Sequence, residues 1–100
     1  GTWTNASDVA LKNGFEDIDA GEVLQRLCGL PVRSWRYKAE EGVVHIGPTA
    51  QDFRAAFGLG DGDKGISTVD AIGVCMASIQ ALKYQVENPW YRKLWSWIRR

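Results

Sequence analysis

A serine and a lysine stand five residues apart near the start of the chain, in Ala6-Ser7-Asp8-Val9-Ala10-Leu11-Lys12, and no other serine-type catalytic arrangement competes with them. Serine becomes a nucleophile when a base takes its proton, and lysine is such a base only where its surroundings keep it neutral. A free lysine titrates near ~10.4, so lowering it to about 7 takes roughly 4 to 5 kcal/mol of desolvation or like-charge repulsion. An exposed Lys12 would be useless in that role. The chemistry such a pair supports is nucleophilic attack by an activated serine. The same residues also fit a plain turn or a helix cap. Residues five apart face opposite ways on a strand and lie well over a quarter-turn apart on a helix, so a bend, a bulge or a second subunit must bring the two groups together.

The elements that would position the pair follow from pattern. Residues 1–6 read as an extended lead-in with Trp3 as a core or interface anchor. From Leu11 the text is strand-like, with Phe15 and Ile18 inward and a turn or bulge at Asn13-Gly14. Asp19-Ala20-Gly21-Glu22 opens a helix with acidic residues in its first turn; Val23, Leu24, Leu27 and Cys28 line one face and Gly29 closes it. Pro31 starts a strand through Val32, Trp35 and Tyr37, and Glu40-Glu41-Gly42 turns it into Val43-Val44-His45-Ile46, a hairpin. Gly47-Pro48 sets the next helix, with proline in its first turn and Phe53, Ala56 and Phe57 buried. From Val69 to Glu87 the apolar residues repeat in sevens: Ile72, Ile79 and Val86 on one line, Cys75 and Leu82 on the next. That repeat suits a supercoiled seam between identical chains and leaves dimer and trimer open. After Asn88-Pro89 a kink or a fresh helix is expected. It would set Trp90, Tyr91, Leu94, Trp95, Trp97 and Ile98 against Arg92, Lys93, Ser96, Arg99 and Arg100.

Composition narrows the functions. One hundred residues make one small domain that gains from oligomerisation, and the formal charge is zero. The last thirteen residues hold four cations and no anion, which leaves residues 1–87 with four net negative charges. Arg33, Arg36 and Lys38 alternate with Trp35 and Tyr37, but the acidic surroundings argue against a nucleic-acid platform. Cys28 and Cys75 lack metal-ligand spacing and read as buried free thiols. A single histidine, His45, with two scattered cysteines cannot build a tetrahedral metal site, and no cofactor loop is present. Asp61-Gly62-Asp63-Lys64-Gly65 resembles a calcium loop only in part: Ile72 stands where the twelfth-position glutamate belongs. No apolar run approaches ~18 residues. The aromatic, basic tail fits a membrane interface, and equally well packing against its own assembly, which is the preferred reading. A chain beginning Gly1-Thr2 without methionine reads as a piece of something longer.

The order of these pieces resembles one family: Ser7-Asp8-x-x-Leu11-Lys12 and a helix, then Trp35-Arg36-Tyr37, then His45 through Phe53 with Gly47-x-x-Ala50-Gln51 inside it, then Ile66-Ser67-Thr68-Val69-Asp70 and a closing helix. It is that of the intramolecular chaperone, or peptidase S74, domain at the C-termini of phage tail spikes and fibres such as endosialidases. The domain also occurs in bacterial fibre-like proteins and in the myelin regulatory factor. The resemblance runs over about residues 7–87. It implies an α+β fold, a small antiparallel sheet with packed helices followed by a C-terminal helix that forms a trimeric bundle or coiled coil.

By the same resemblance, residues 1–6 are a remnant of an upstream fibre, 7–68 the globular part, 69–87 the trimerising helix and 88–100 a separate tail. The implied function is to trimerise and fold an upstream fibre or spike of the same polypeptide, with autoproteolytic release at Ala6–Ser7 by Ser7 and Lys12. His45 would orient the dyad or donate to the oxyanion, and Asp8, Gly47 and Gln51 belong to the motif. Ile72, Cys75, Ile79, Leu82 and Val86 would form the oligomer interface. The setting implied is a virion tail or bacterial fibre folding in the cytoplasm, without cofactor, metal or nucleic acid. Ala10 stands where an arginine is frequent and Gly14 near a usual asparagine, which sets slow cutting, or none, beside active cleavage. The alternative is a non-cleaving trimerisation module, or a membrane- or partner-binding one that uses the tail.

Overall fold

The computed structural model describes residues 6–98. Trp3, Arg99 and Arg100 lie outside the described residues, as do the side chains of Tyr91, Arg92 and Trp95. The order is a 3-10 turn (Val9–Leu11), α1 (Ala20–Cys28), β1 (Arg33–Trp35), β2 (His45–Gly47), α2 (Ala50–Phe57), α3 (Thr68–Glu87) and α4 (Pro89–Ile98). The fold is α+β: one two-stranded antiparallel sheet and four helices among these residues.

Local chemistry starts and stops the helices where the sequence indicates. The Asp19 carboxylate accepts the Glu22 amide at 3.1 Å, the Glu22–Arg26 pair spans one turn at 3.2 Å, and Gly29 ends α1. Arg26 also donates to the Ala56 carbonyl at 2.8 Å and ties α1 to α2. Helix α2 begins two residues later than expected. Thr49 is its cap, accepting the Asp52 amide at 3.1 Å, so Pro48 precedes the helix rather than opening it. Gly58 closes α2 at φ 64°, a left-handed backbone that only glycine adopts freely. One Arg54 nitrogen then donates to the carbonyls of Leu59, Gly60 and Gly62 and pins the loop toward α3. Pro89 is the first residue of α4, where its missing N–H costs nothing.

The hairpin is present but short, with Trp35 opposite His45, Ser34 opposite Ile46 and Arg33 opposite Gly47. Val32, Tyr37, Val43 and Val44, all expected in strands, lie outside the ladder. The expected strand from Leu11 is absent, and Phe15 and Ile18 are outward at 69% and 66% exposure. Residues 12–19 hold no regular element: Gly14 turns the chain at φ 67°, and no strand among the described residues runs beside them to make a ladder. Both cysteines are free as expected, yet both are exposed rather than buried.

The core is small: among the described residues the buried apolar ones are Leu24, Leu30, Phe53, Val74, Ala77 and Ala81. Val23, Leu27, Ala56 and Phe57 pack beside them, and the Phe53 and Phe57 rings meet at 4.9 Å. Helix α1 lies chiefly on α3, whose buried face is Val74, Ala77, Ser78, Ala81 and Gln85. The accessible surface is 8387 Å², roughly half as much again as the ~5,700 Å² a compact monomer of this mass exposes.

Candidate functional site

The 3-10 turn solves the spacing of Ser7 and Lys12. Asp8 adopts an extended backbone (φ −61°, ψ 135°) and its carboxylate accepts the Ala10 amide at 3.0 Å. The Leu11 amide then reaches the Asp8 carbonyl at 3.0 Å, and the Lys12 amide the Val9 carbonyl at 3.2 Å. One tight turn therefore replaces four extended residues, and the chain leaves it extended again at Lys12. Lys12 Nζ comes to 2.7 Å from Ser7 Oγ, to which it donates. A neutral amine at that separation accepts the hydroxyl proton instead, the contact a general base needs. Ser7 and Lys12 are both exposed, as are Val9 and Leu11 between them. The chain's own residues do not dry the pair.

His45 stands in a different neighbourhood. Its Nε2 meets Glu40 Oε1 at 2.7 Å, and its ring stacks on Trp35 (centroids 5.0 Å, 27°) and meets Tyr37 edge-on at 5.2 Å. None of these contacts is with Ser7 or Lys12, so one chain does not bring His45 to the dyad. The Gly47–Gln51 motif builds the corner from hairpin to helix. The Trp35 indole donates to the Gly47 carbonyl at 3.2 Å, Thr49 caps α2, and Gln51 is exposed in the first turn. An open groove of about 710 Å³ runs between α1, the end of α2 and the start of α3, and neither Ser7, Lys12 nor His45 lines it.

The residues proposed for a seam share one side of α3, away from its buried face. Ile72, Cys75, Ile79, Leu82 and Val86 are all exposed, the four aliphatic ones at 51–67%. Val69 and Met76 are exposed as well, and the sevenfold spacing puts them beside that line. Their signal was legible: they are the flanking positions of the same heptad. Trp35, Thr49 and Glu40 were the positioning residues missed, because what each holds depends on which loop folds beside it.

The model of the peptidase S74 family, described as the chaperone of endosialidase, matches residues 7–58. The chain belongs to this family of intramolecular chaperones. The matched residues begin at Ser7 and end at Gly58, the glycine that closes α2, so α3 and α4 lie beyond them. No curated protein and no solved structure matches the chain.

Proposed function

We propose that this domain gathers three copies of its chain through α3, holds the segments preceding residue 7 in register, and then severs itself from them at Ala6–Ser7. The observation that carries the assembly is the uncovered apolar stripe of α3, from Val69 to Val86, opposite the face that packs on α1. Apolar residues flanking the seam at Val69 and Met76 widen it beyond what a two-stranded contact covers, which favours three chains. Joining copies at one end raises the effective concentration of everything upstream and lowers the entropic cost of aligning long chains. Residues 7–68 act as the globular part and 69–87 as the trimerising helix, and 88–100 pack against that assembly. The setting that fits is a virion tail or bacterial fibre.

Cleavage rests on the 2.7 Å contact between Lys12 Nζ and Ser7 Oγ. Lys12, neutral once neighbouring copies exclude water from it, takes the Ser7 proton, and Oγ attacks the carbonyl carbon of Ala6. The bond to the Ser7 nitrogen breaks, and that nitrogen receives the proton from Lys12. Water then opens the ester, freeing the Ala6 carboxylate and restoring the Ser7 hydroxyl. Removing the assembly helper leaves the upstream fibre kinetically trapped.

Sedimentation analysis and intact mass, followed over days, test the two halves separately. A threefold mass with loss of residues 1–6, abolished by Ser7→Ala, supports both. A threefold mass with an unchanged chain removes cleavage and keeps assembly; a single-chain mass removes assembly. Cys75 is an internal probe: with Cys28→Ser, mild oxidation links copies through Cys75 where α3 helices run side by side in register.

A further inference from the structure

Residues 7–18 form an arm that is matched as part of the family domain and is exposed throughout, meeting the rest of its own chain only at its end, where Ile18 borders the open groove. Val9, Leu11, Phe15 and Ile18 stand outward along it, and Glu16 and Asp17 have no ion pair or hydrogen bond. The β1–β2 hairpin presents the opposite chemistry. Side chains alternate across a strand, so Ile46 and Val44 share the face away from the Trp35–His45 pair. Ile46, in the middle of β2, is 78% exposed, and Val32 and Val44 are exposed beside it. Arg36 and Lys38 follow β1 directly, exposed and without a charged or hydrogen-bonded partner, whereas Glu40 is taken up by His45. An isolated two-stranded hairpin is marginal in water unless a face is covered.

We infer that the arm of one copy lies across the outer face of a neighbouring copy's hairpin, with Phe15 over Val44 and Ile46 and with Glu16 and Asp17 beside Arg36 and Lys38. The inference rests on the assembly proposed above. The occupant is a second copy of this chain because the two surfaces are complementary in charge, acidic against basic, as well as both apolar. Both surfaces are present in every copy, and joining copies at α3 presents each hairpin with an arm at high effective concentration. Exchange of arms also covers the flanks of Ser7 and Lys12 with another subunit, a cover that α3 by itself does not provide.

Disulfide trapping in the full chain decides it. In a Cys28→Ser, Cys75→Ser background, copies carrying Phe15→Cys are refolded together with differently tagged copies carrying Ile46→Cys, and dioxygen with a copper catalyst is the oxidant. The expected result is a mixed Phe15→Cys/Ile46→Cys dimer in several-fold excess over the product with Ala55→Cys, an exposed control on α2. In parallel, Arg36→Glu with Lys38→Glu lowers the yield, and adding Glu16→Lys with Asp17→Lys restores it. An intact oligomer by sedimentation with no excess over the control overturns the arm exchange and leaves α3 assembly standing. A chain that sediments as a single copy overturns both.

Discussion

At Ser7 and Lys12 the outcome turns on which atom holds the proton. Lys12→Arg keeps a cation and a donor beside Ser7 Oγ but cannot surrender its charge, so cleavage followed by intact mass should fall at least about a hundredfold, the scale of losing a general base. Asp8 acts one step back, by capping the turn. Asp8→Ala should cost about 1 kcal/mol of turn stability and slow cleavage several-fold, while Asp8→Asn, which can still accept the Ala10 amide, should cut at nearly the original rate. The residue types of this site were legible in Ser7-Asp8-x-x-Leu11-Lys12. Its geometry was not, since the same letters fit a strand, a helix cap or a turn until the Asp8 side chain selects among them. His45 was less legible still, because its partners Glu40, Trp35 and Tyr37 come from the hairpin loop and the facing strand.

Among the elements, α3 does two jobs with two faces. Its inner face, Val74, Ala77, Ser78 and Ala81, needs small residues for close approach to α1, and the buried Ser78 hydroxyl is satisfied by the Val74 carbonyl at 2.8 Å. Its outer face separates a lone chain from an assembly. On a lone chain, Ile79→Asp would be a surface change worth within about 0.5 kcal/mol. In a threefold seam it buries three carboxylates together, so the expected result is a fall from oligomer to single chain by sedimentation, with helix content retained at high concentration. Phe53→Ala, in the core, should instead cost about 3 to 5 kcal/mol and unfold the domain in a denaturant titration whatever its association. The helices were readable because their signals are local: Asp19 and Gly29 bracket α1, and the heptad runs the length of α3. The stretch from Leu11 to Ile18 departs from its strand-like pattern because a strand needs a neighbour to pair with and the chain's own fold supplies none there.

At the scale of the whole molecule, a core of six buried apolar residues among those described and an accessible surface of 8387 Å² leave much apolar surface uncovered. Its radius of gyration, 16.4 Å, exceeds the ~13 Å of a compact domain of this length. Stability should therefore depend on protein concentration: the thermal midpoint should climb with each dilution step reversed, and a midpoint indifferent to concentration would sink the assembly reading. Helix α4 touches α3 and leaves Trp90, Leu94, Trp97 and Ile98 outward, and no helix among the described residues is long and apolar enough to cross a membrane. Because the serine and its lysine are wound together within six consecutive positions, nothing distant has to arrive before they touch. Under the proposed reading the safety catch is wetness: a newborn polypeptide carries a cocked but damp trigger, and only companionship dries it, so no orphan is ever cut loose early.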